Sequence, residues 1–225
     1  MLKSRITIFL IVSSILVLWI PASVFAAEAN EPAGVYTAKS YLNYLHEQGE
    51  EKAAQEFEKF PVHKQQEIIY FLNHPDEMME AAEVEETFNP NPVTYEESAD
   101  HTEAGSSYAV RSYSTAASSK VRKGTYTAEY KVAGFTTTKV QTAVIYRTSG
   151  SRVTSVKGVS GKVIKNVNPL VSISRKQSRT WISSNRAYGQ IDWEWKVGPK
   201  KVGTKRQTVY GTASGASGGS SITLN

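Results

Sequence analysis

The chain has no cysteine. No disulfide staples it and no thiolate holds a metal in it. Histidine stops at His101, so the stretch 108–225 has no base with which to build a Ser-His-Asp triad of its own. Acids nearly vanish after residue 105, where only Glu129, Asp192 and Glu194 remain. Long apolar runs are just as scarce. The one present covers 6–20, about 15 residues, short of the roughly 20 that a membrane-crossing helix needs. Neither a G-x-G-x-x-G turn after a strand nor a G-x-x-x-x-G-K-[ST] loop occurs, which leaves nucleotide chemistry without sequence support.

The apolar run has a definite context. Lys3 and Arg5 precede it, Pro21 follows it, and Ala22-Ser23-Val24-Phe25-Ala26 comes next. A basic start, a short apolar core and small residues at the third-last and last positions spell a secretory signal peptide over 1–26. Val24 and Ala26 place the cut after Ala26, with Ala27 as the runner-up. An exported chain without cysteine fits a Gram-positive-type bacterial protein better than a eukaryotic one. No cysteine follows the signal to carry a lipid, and 220–225 has neither apolar tail nor basic stop, so free release is expected.

What the chain has in abundance is segregated charge. Residues 27–105 carry 18 acids and 4 bases, and residues 106–225 carry 3 acids and 20 bases. The overall net charge of +5 hides this division. Two halves of opposite sign either attract each other or suit different partners.

The expected fold is α+β: a small acidic all-α N-terminal region of three or four short helices, followed by a basic antiparallel β-sandwich or barrel. After the signal, 27–87 is the acidic helical region, 88–107 a flexible acidic linker, and 108–225 the basic all-β domain. Apolar residues recur at helical spacing in 36–48, 50–60, 61–72 and 76–86. Thr37 is a candidate cap, Gly49 a stop, and Asn73-His74-Pro75 a break. A helical unit this small is marginal alone. In 88–107, two prolines, scattered acids and few apolar groups read as linker. Beyond it, strand-like stretches fall at 108–114, 125–132, 137–148, 152–156, 171–174, 180–183, 190–197, 204–210 and 221–224. Turns are expected at Lys123-Gly124, Ala133-Gly134, Ser149-Gly150-Ser151, Gly158 and Gly161, Asn168-Pro169, Gly189, Gly198-Pro199 and Gly203, and a loose Gly/Ser loop over 211–220. In 191–197, Ile191, Trp193, Trp195 and Val197 alternate with Asp192, Glu194 and Lys196, the pattern of a half-buried strand.

Asp192 and Glu194 share a face of that strand, as paired carboxylates of a glycoside hydrolase would. Alternation turns Trp193 and Trp195 away from them, and neighbouring bases offer ordinary partners. His63 and Glu67 lack the second histidine of a zinc helix, so no metal is expected. The binding candidates are basic groups interleaved with aromatics: Arg175, Lys176, Arg179 and Arg186 around Trp181, then Lys200, Lys201, Lys205 and Arg206 after Trp195. That pattern suits an anionic wall polymer or membrane surface, and nucleic acid is the poorer fit for an exported chain.

The chain therefore reads as a secreted, non-enzymatic protein without cofactor. Its cationic β domain binds an anionic cell-surface polymer or membrane, and the acidic helices contact and shield that domain. A bacteriocin or toxin-like protein acting on a bacterial envelope is the first alternative, and a wall-active glycoside hydrolase the second. N-terminal sequencing of the exported product is expected to begin at Ala27; a product that retains 1–26 would remove the secretory reading.

Overall fold

The computed structural model describes residues 35–82, 93–103 and 119–224, except the side chains of 94, 101 and 103. Four short helices come first: α1 (Ala38–Glu47), α2 (Glu51–Glu58), α3 (Val62–Asn73) and α4 (Pro75–Ala81). Thr37 caps α1 in a reciprocal box with Ser40. Gly49, at φ 72°, supplies the left-handed residue that ends it. Pro75 opens α4, where a missing N–H is harmless. Asn73 ties the bundle back to its start: its Oδ1 accepts from the Tyr36 N–H and its Nδ2 donates to the Tyr36 carbonyl, both at 2.9 Å.

Eight strands follow: β1 (Val93–Glu103), β2 (Ser119–Val132), β3 (Phe135–Ser149), β4 (Arg152–Asn166), β5 (Val171–Ser183), β6 (Arg186–Val197), β7 (Lys200–Thr212) and β8 (Ser217–Leu224). They form two four-stranded antiparallel sheets, each in sequential order: β1-β2-β3-β4 and β5-β6-β7-β8. Side chains cross between the sheets. Trp193 Nε1 donates to Gln207 Oε1 at 2.9 Å and to Thr142 Oγ1 at 3.2 Å, and Thr142 Oγ1 donates to the same Gln207 oxygen at 2.7 Å. Gly161 on β4 makes room for this contact. A Cβ there would meet Ile191 Cδ1 at 2.6 Å and Trp193 Cζ2 at 2.7 Å.

Helices and sheets share one apolar core. Tyr41, Leu45, Phe57, Ile68, Leu72 and Met78 are buried together with Tyr130, Phe135, Val140, Ile191, Trp193 and Trp195. Phe135, the first residue after the Ala133-Gly134 turn, is the pivot. Its ring lies 6.5 Å from Tyr41, 6.0 Å from Phe57 and 6.2 Å from Phe60. Tyr41 donates its hydroxyl to the Val167 carbonyl at 3.0 Å, and burial pushes its phenol well above the ordinary tyrosine range. A bundle too small to bury its own apolar face thus uses the end of the β structure as its second wall.

Several expectations are corrected. Much of the expected linker, Val93–Glu103, is the edge strand β1, paired with β2 along its whole length. Tyr95 sits opposite Tyr130, and Glu96 Oε2 accepts from Lys131 Nζ at 2.6 Å. Glu96 stands opposite Glu129 and reaches diagonally to Lys131, while Glu97 and Asp100 stand opposite Ala128 and Thr125. The turns expected at Lys123-Gly124, at Gly158 and Gly161 and at Gly203 do not occur, because β2, β4 and β7 run through them. The break expected at Gly189 lies instead at Ser184 and Asn185, both at positive φ, and Gly189 is inside β6. Six of the ten residues of the loose 211–220 loop are strand, since β7 runs to Thr212 and β8 starts at Ser217. The signal stretch, 83–92, the strand expected at 108–114 and the ends of the linker lie outside the described residues.

Because Phe135 belongs to both layers, Phe135→Ala is expected to cost about 3–5 kcal/mol. Helical ellipticity and tryptophan fluorescence should still be lost together in urea. Separate transitions for the two signals would contradict a shared core.

Candidate functional site

The pleat of β6 sorts its side chains. Ile191, Trp193 and Trp195 are buried between the layers, while Arg186, Tyr188, Gln190, Asp192, Glu194 and Lys196 take the opposite face. Register carries that division to the neighbouring strands. Trp181, Tyr188 and Tyr210 form one cross-strand row, Arg179, Gln190 and Thr208 the next, and Gln177, Asp192 and Arg206 a third.

The first row is a ladder of rings. Trp181 and Tyr188 stack at 5.0 Å with planes 1° apart, and Tyr188 meets Tyr210 at 5.9 Å and 49°. A guanidinium sits at each end: Arg179 Cζ is 5.1 Å from the Trp181 ring and Arg186 Cζ 4.6 Å from the Tyr210 ring. On β8, Gly218 lies opposite Tyr210, where a Cβ would come within 2.5 Å of its hydroxyl. Since neighbouring rings and guanidinium groups occupy the ring faces, the row is not a free platform for stacking a sugar. What it holds out is cationic donors fixed in place by cation–π contact.

The next two rows form a hydrogen-bonded relay. Arg179 Nε donates to Gln190 Oε1 at 2.9 Å, and Gln190 Nε2 to Asp192 Oδ1 at 3.3 Å. Arg206 grips Asp192 with two donors, Nε to Oδ1 at 2.7 Å and Nη2 to Oδ2 at 2.8 Å. The Arg206 guanidinium holds the Asp192 carboxyl below its usual value, against burial, which pushes it up. Glu194 Oε1 lies 3.0 Å from Lys196 Nζ and 3.2 Å from Lys176 Nζ, and Lys196 first among these holds its pKa down. Both carboxylates are therefore ionised and engaged. Neither has the raised pKa that a glycosidase's proton donor requires. Beside the relay, Gln177, Ser178, Arg179, Gln190 and Arg206 line a hollow of about 280 Å³.

The candidates named from the sequence separate into groups. Lys176, Arg179, Trp181, Arg186 and Arg206 lie on this face. Lys201 joins its far end opposite Lys196, while Lys200 is 3.7 Å from Asp76 of α4. Arg175 departs from the set. It registers with the inward Trp193, and the β-bulge between Arg175 and Gln177 reverses the alternation before Arg179. Lys205 departs too: it registers with Trp193, is 8% exposed and donates to Thr223 Oγ1. Tyr188, Gln190 and Tyr210 belong to the site although the sequence did not single them out. Their signal was register, readable once the β5–β6 turn is placed at Ser184 and Asn185.

The outward face of the first sheet is basic as well, but differently made. Lys131 and Lys139 close on Glu129, which Lys139 chiefly holds below the usual carboxylate value, and there is no aromatic row among its described residues. One further serine sits in Gly215-Ala216-Ser217-Gly218-Gly219, a G-x-S-x-G sequence. It opens a strand rather than a helix, and Ser217 Oγ donates to the Asp100 carbonyl at 2.8 Å, so no nucleophile elbow is formed. Among the described residues, no three His, Cys, Asp or Glu gather where a metal ion could be held.

Asp192 has a depressed pKa in the folded chain. Its pairing therefore stabilises the fold above the ordinary carboxylate range and is lost as pH falls through the lowered value. Arg206→Gln is expected to cost about 2–3 kcal/mol near neutral pH by leaving a buried carboxylate half-partnered. The gap from wild type should narrow as urea unfolding is repeated at lower pH. A gap that does not change with pH would contradict the pairing.

Compared with protein-family models, curated proteins and solved structures, the chain gives no match.

Proposed function

We propose that this is a secreted, non-enzymatic protein that binds an anionic polymer of the bacterial cell surface. In this reading the two sheets form a β-sandwich, and the outward face of β5–β8 is the binding face. The observation that carries the proposal is the row Trp181–Tyr188–Tyr210 with Arg179 and Arg186 held at its ends. Around it the face has six bases, Lys176, Arg179, Arg186, Lys196, Lys201 and Arg206, against two acids, Asp192 and Glu194. A surplus of fixed positive charge on a flat sheet suits an extended polyanion better than a small substrate. A polymer is favoured over a bilayer because the face offers no apolar wedge: Ile222, at 53% exposure, is its one large exposed aliphatic among the described residues.

Cis shielding by the acidic helices fits less well. They dock through Tyr41, Phe57 and Met78, and the ion pair described between helix and sheet is Asp76–Lys200. Burial lowers the Lys165 pKa against the opposing pull of Glu56 and Glu50, so helix acids do approach one base, but at Phe135 and away from the ring ladder.

Binding of the full mature chain to purified wall teichoic acid is the test. Trp181→Ala combined with Arg186→Gln is expected to weaken it about tenfold or more. Arg147→Gln, on the other sheet's outward face, should stay within about twofold, and added salt should weaken all forms. Equal losses from both variants would reduce the face to unspecific charge. Leakage of dye from anionic vesicles, without polymer binding, would favour the toxin-like alternative.

A further inference from the structure

The hollow beside the relay has a more definite chemistry than the face around it. Two arginines reach it from β5 and β7, with β6 between them. Each is held by its own partners. Arg179 is fixed by the Trp181 ring and by Gln190 Oε1, and Arg206 by both oxygens of Asp192. The anchors are themselves immobile, since Gln190 and Asp192 are each 4% exposed. Among the described residues, both terminal nitrogens of Arg179 and one of Arg206 donate to nothing. Guanidinium groups orient oxyanions through several N–H donors, which a lysine cannot do.

Charge and shape narrow the ligand. Arg179 and Arg206 bring two positive charges and Asp192 one negative charge, which leaves a surplus of one. Donors converge from two strands rather than from one fork. Carboxylate and phosphate can each take one guanidinium fork, but the two non-bridging oxygens of a tetrahedral centre diverge and suit two separate donors. A phosphodiester has one negative charge and two such oxygens. About 280 Å³ accommodates the group with short polyol arms, and leaves the chain of a polymer free to continue along the sheet.

We infer that the hollow between Arg179 and Arg206 is a phosphodiester subsite, so that the polymer bound by this face is a polyol phosphate rather than a carboxylated glycan. The inference rests on the proposed binding face and adds its selectivity. Ser178 and Gln177 line the same hollow and supply neutral donors for the polyol oxygens beside the phosphorus.

The experiment compares the full mature chain with Arg179→Lys, which keeps the charge but removes the fork. The probes are poly(glycerol phosphate) and polyglucuronate, matched in charge density. Arg179 is exposed, and unchanged circular dichroism and tryptophan fluorescence verify the fold. Wild type is expected to prefer poly(glycerol phosphate), and Arg179→Lys to lose about tenfold on it while staying within about twofold on polyglucuronate. If Arg179→Lys weakens both polymers equally, or wild type shows no preference, the subsite is overturned and the anionic binding face survives. If wild type binds neither polymer, the face and the subsite fall together. Phosphatidylglycerol vesicles that bind with the same Arg179→Lys loss support the subsite with lipid as the source of the phosphodiester.

Discussion

The alternation of β6 is the constraint on which the other features depend. Trp193 and Trp195 are buried, and each large ring is fitted to a particular neighbour. Trp193 shares the Gln207 oxygen with Thr142, and Trp195 meets Tyr130 at 4.7 Å. A slip of one residue in register would put Asp192 and Glu194 between the sheets and both tryptophans in water. The cost of burying two carboxylates without partners excludes that arrangement. Once the rings are inside, Tyr188, Gln190 and Asp192 must be outside, and their cross-strand neighbours Trp181, Arg179 and Arg206 are gathered beside them. The proposed binding face is thus the reverse side of the core.

The charge division is preserved by the way the helices dock. Opposite charges at the two ends of a chain would be expected to cancel on folding if electrostatics drove the contact. Here the contact is aromatic and aliphatic, centred on Phe135, and desolvated apolar area outweighs exposed ion pairs of about 0–1 kcal/mol each. Acids on the helices stay largely exposed, while Glu96 of the edge strand β1 finds a partner in Lys131. The molecule keeps an acidic part and a basic face instead of neutralising one with the other.

Local signals were legible in the sequence wherever one residue acts alone. Gly49, Pro75 and the Ala133-Gly134 turn act through their own backbone, Thr37 caps within its own turn, and the alternation of Ile191, Trp193 and Trp195 marks an inward face without any partner. Features that depend on a second strand were not legible. Val93–Glu103 has the composition of a linker, and what makes it a strand is continuous pairing with β2, 19 to 39 residues later in the chain. Arg175 and Arg179 have the same parity and should share a face, but one bulged residue between them reverses that. Lys205 and Arg206 are adjacent and so must diverge. Charge alone puts them in one basic cluster, whereas the period of two separates them. The site's aromatic row was hidden because its turn is made by Ser184 and Asn185, without a glycine to mark it, while Gly189 offered a false break.

Pre-organisation gives the arginines of this face their significance. A free arginine side chain loses up to about 2 kcal/mol of rotamer entropy when a ligand immobilises it. Arg179, Arg186 and Arg206 have lost much of that freedom on folding, to Trp181, Tyr210 and Asp192. In the proposed role, binding an anion would cost less ordering, and discrimination between anions would depend on geometry more than on charge. Four strands span roughly 14 Å at the usual spacing, so a chain of regularly repeated anionic groups would meet several of these fixed donors at once. Modest contacts, each insufficient alone, would then reinforce one another through the continuity of the polymer. The same donors scattered on flexible lysines would attract polyanions just as strongly at a distance but would distinguish poorly among them.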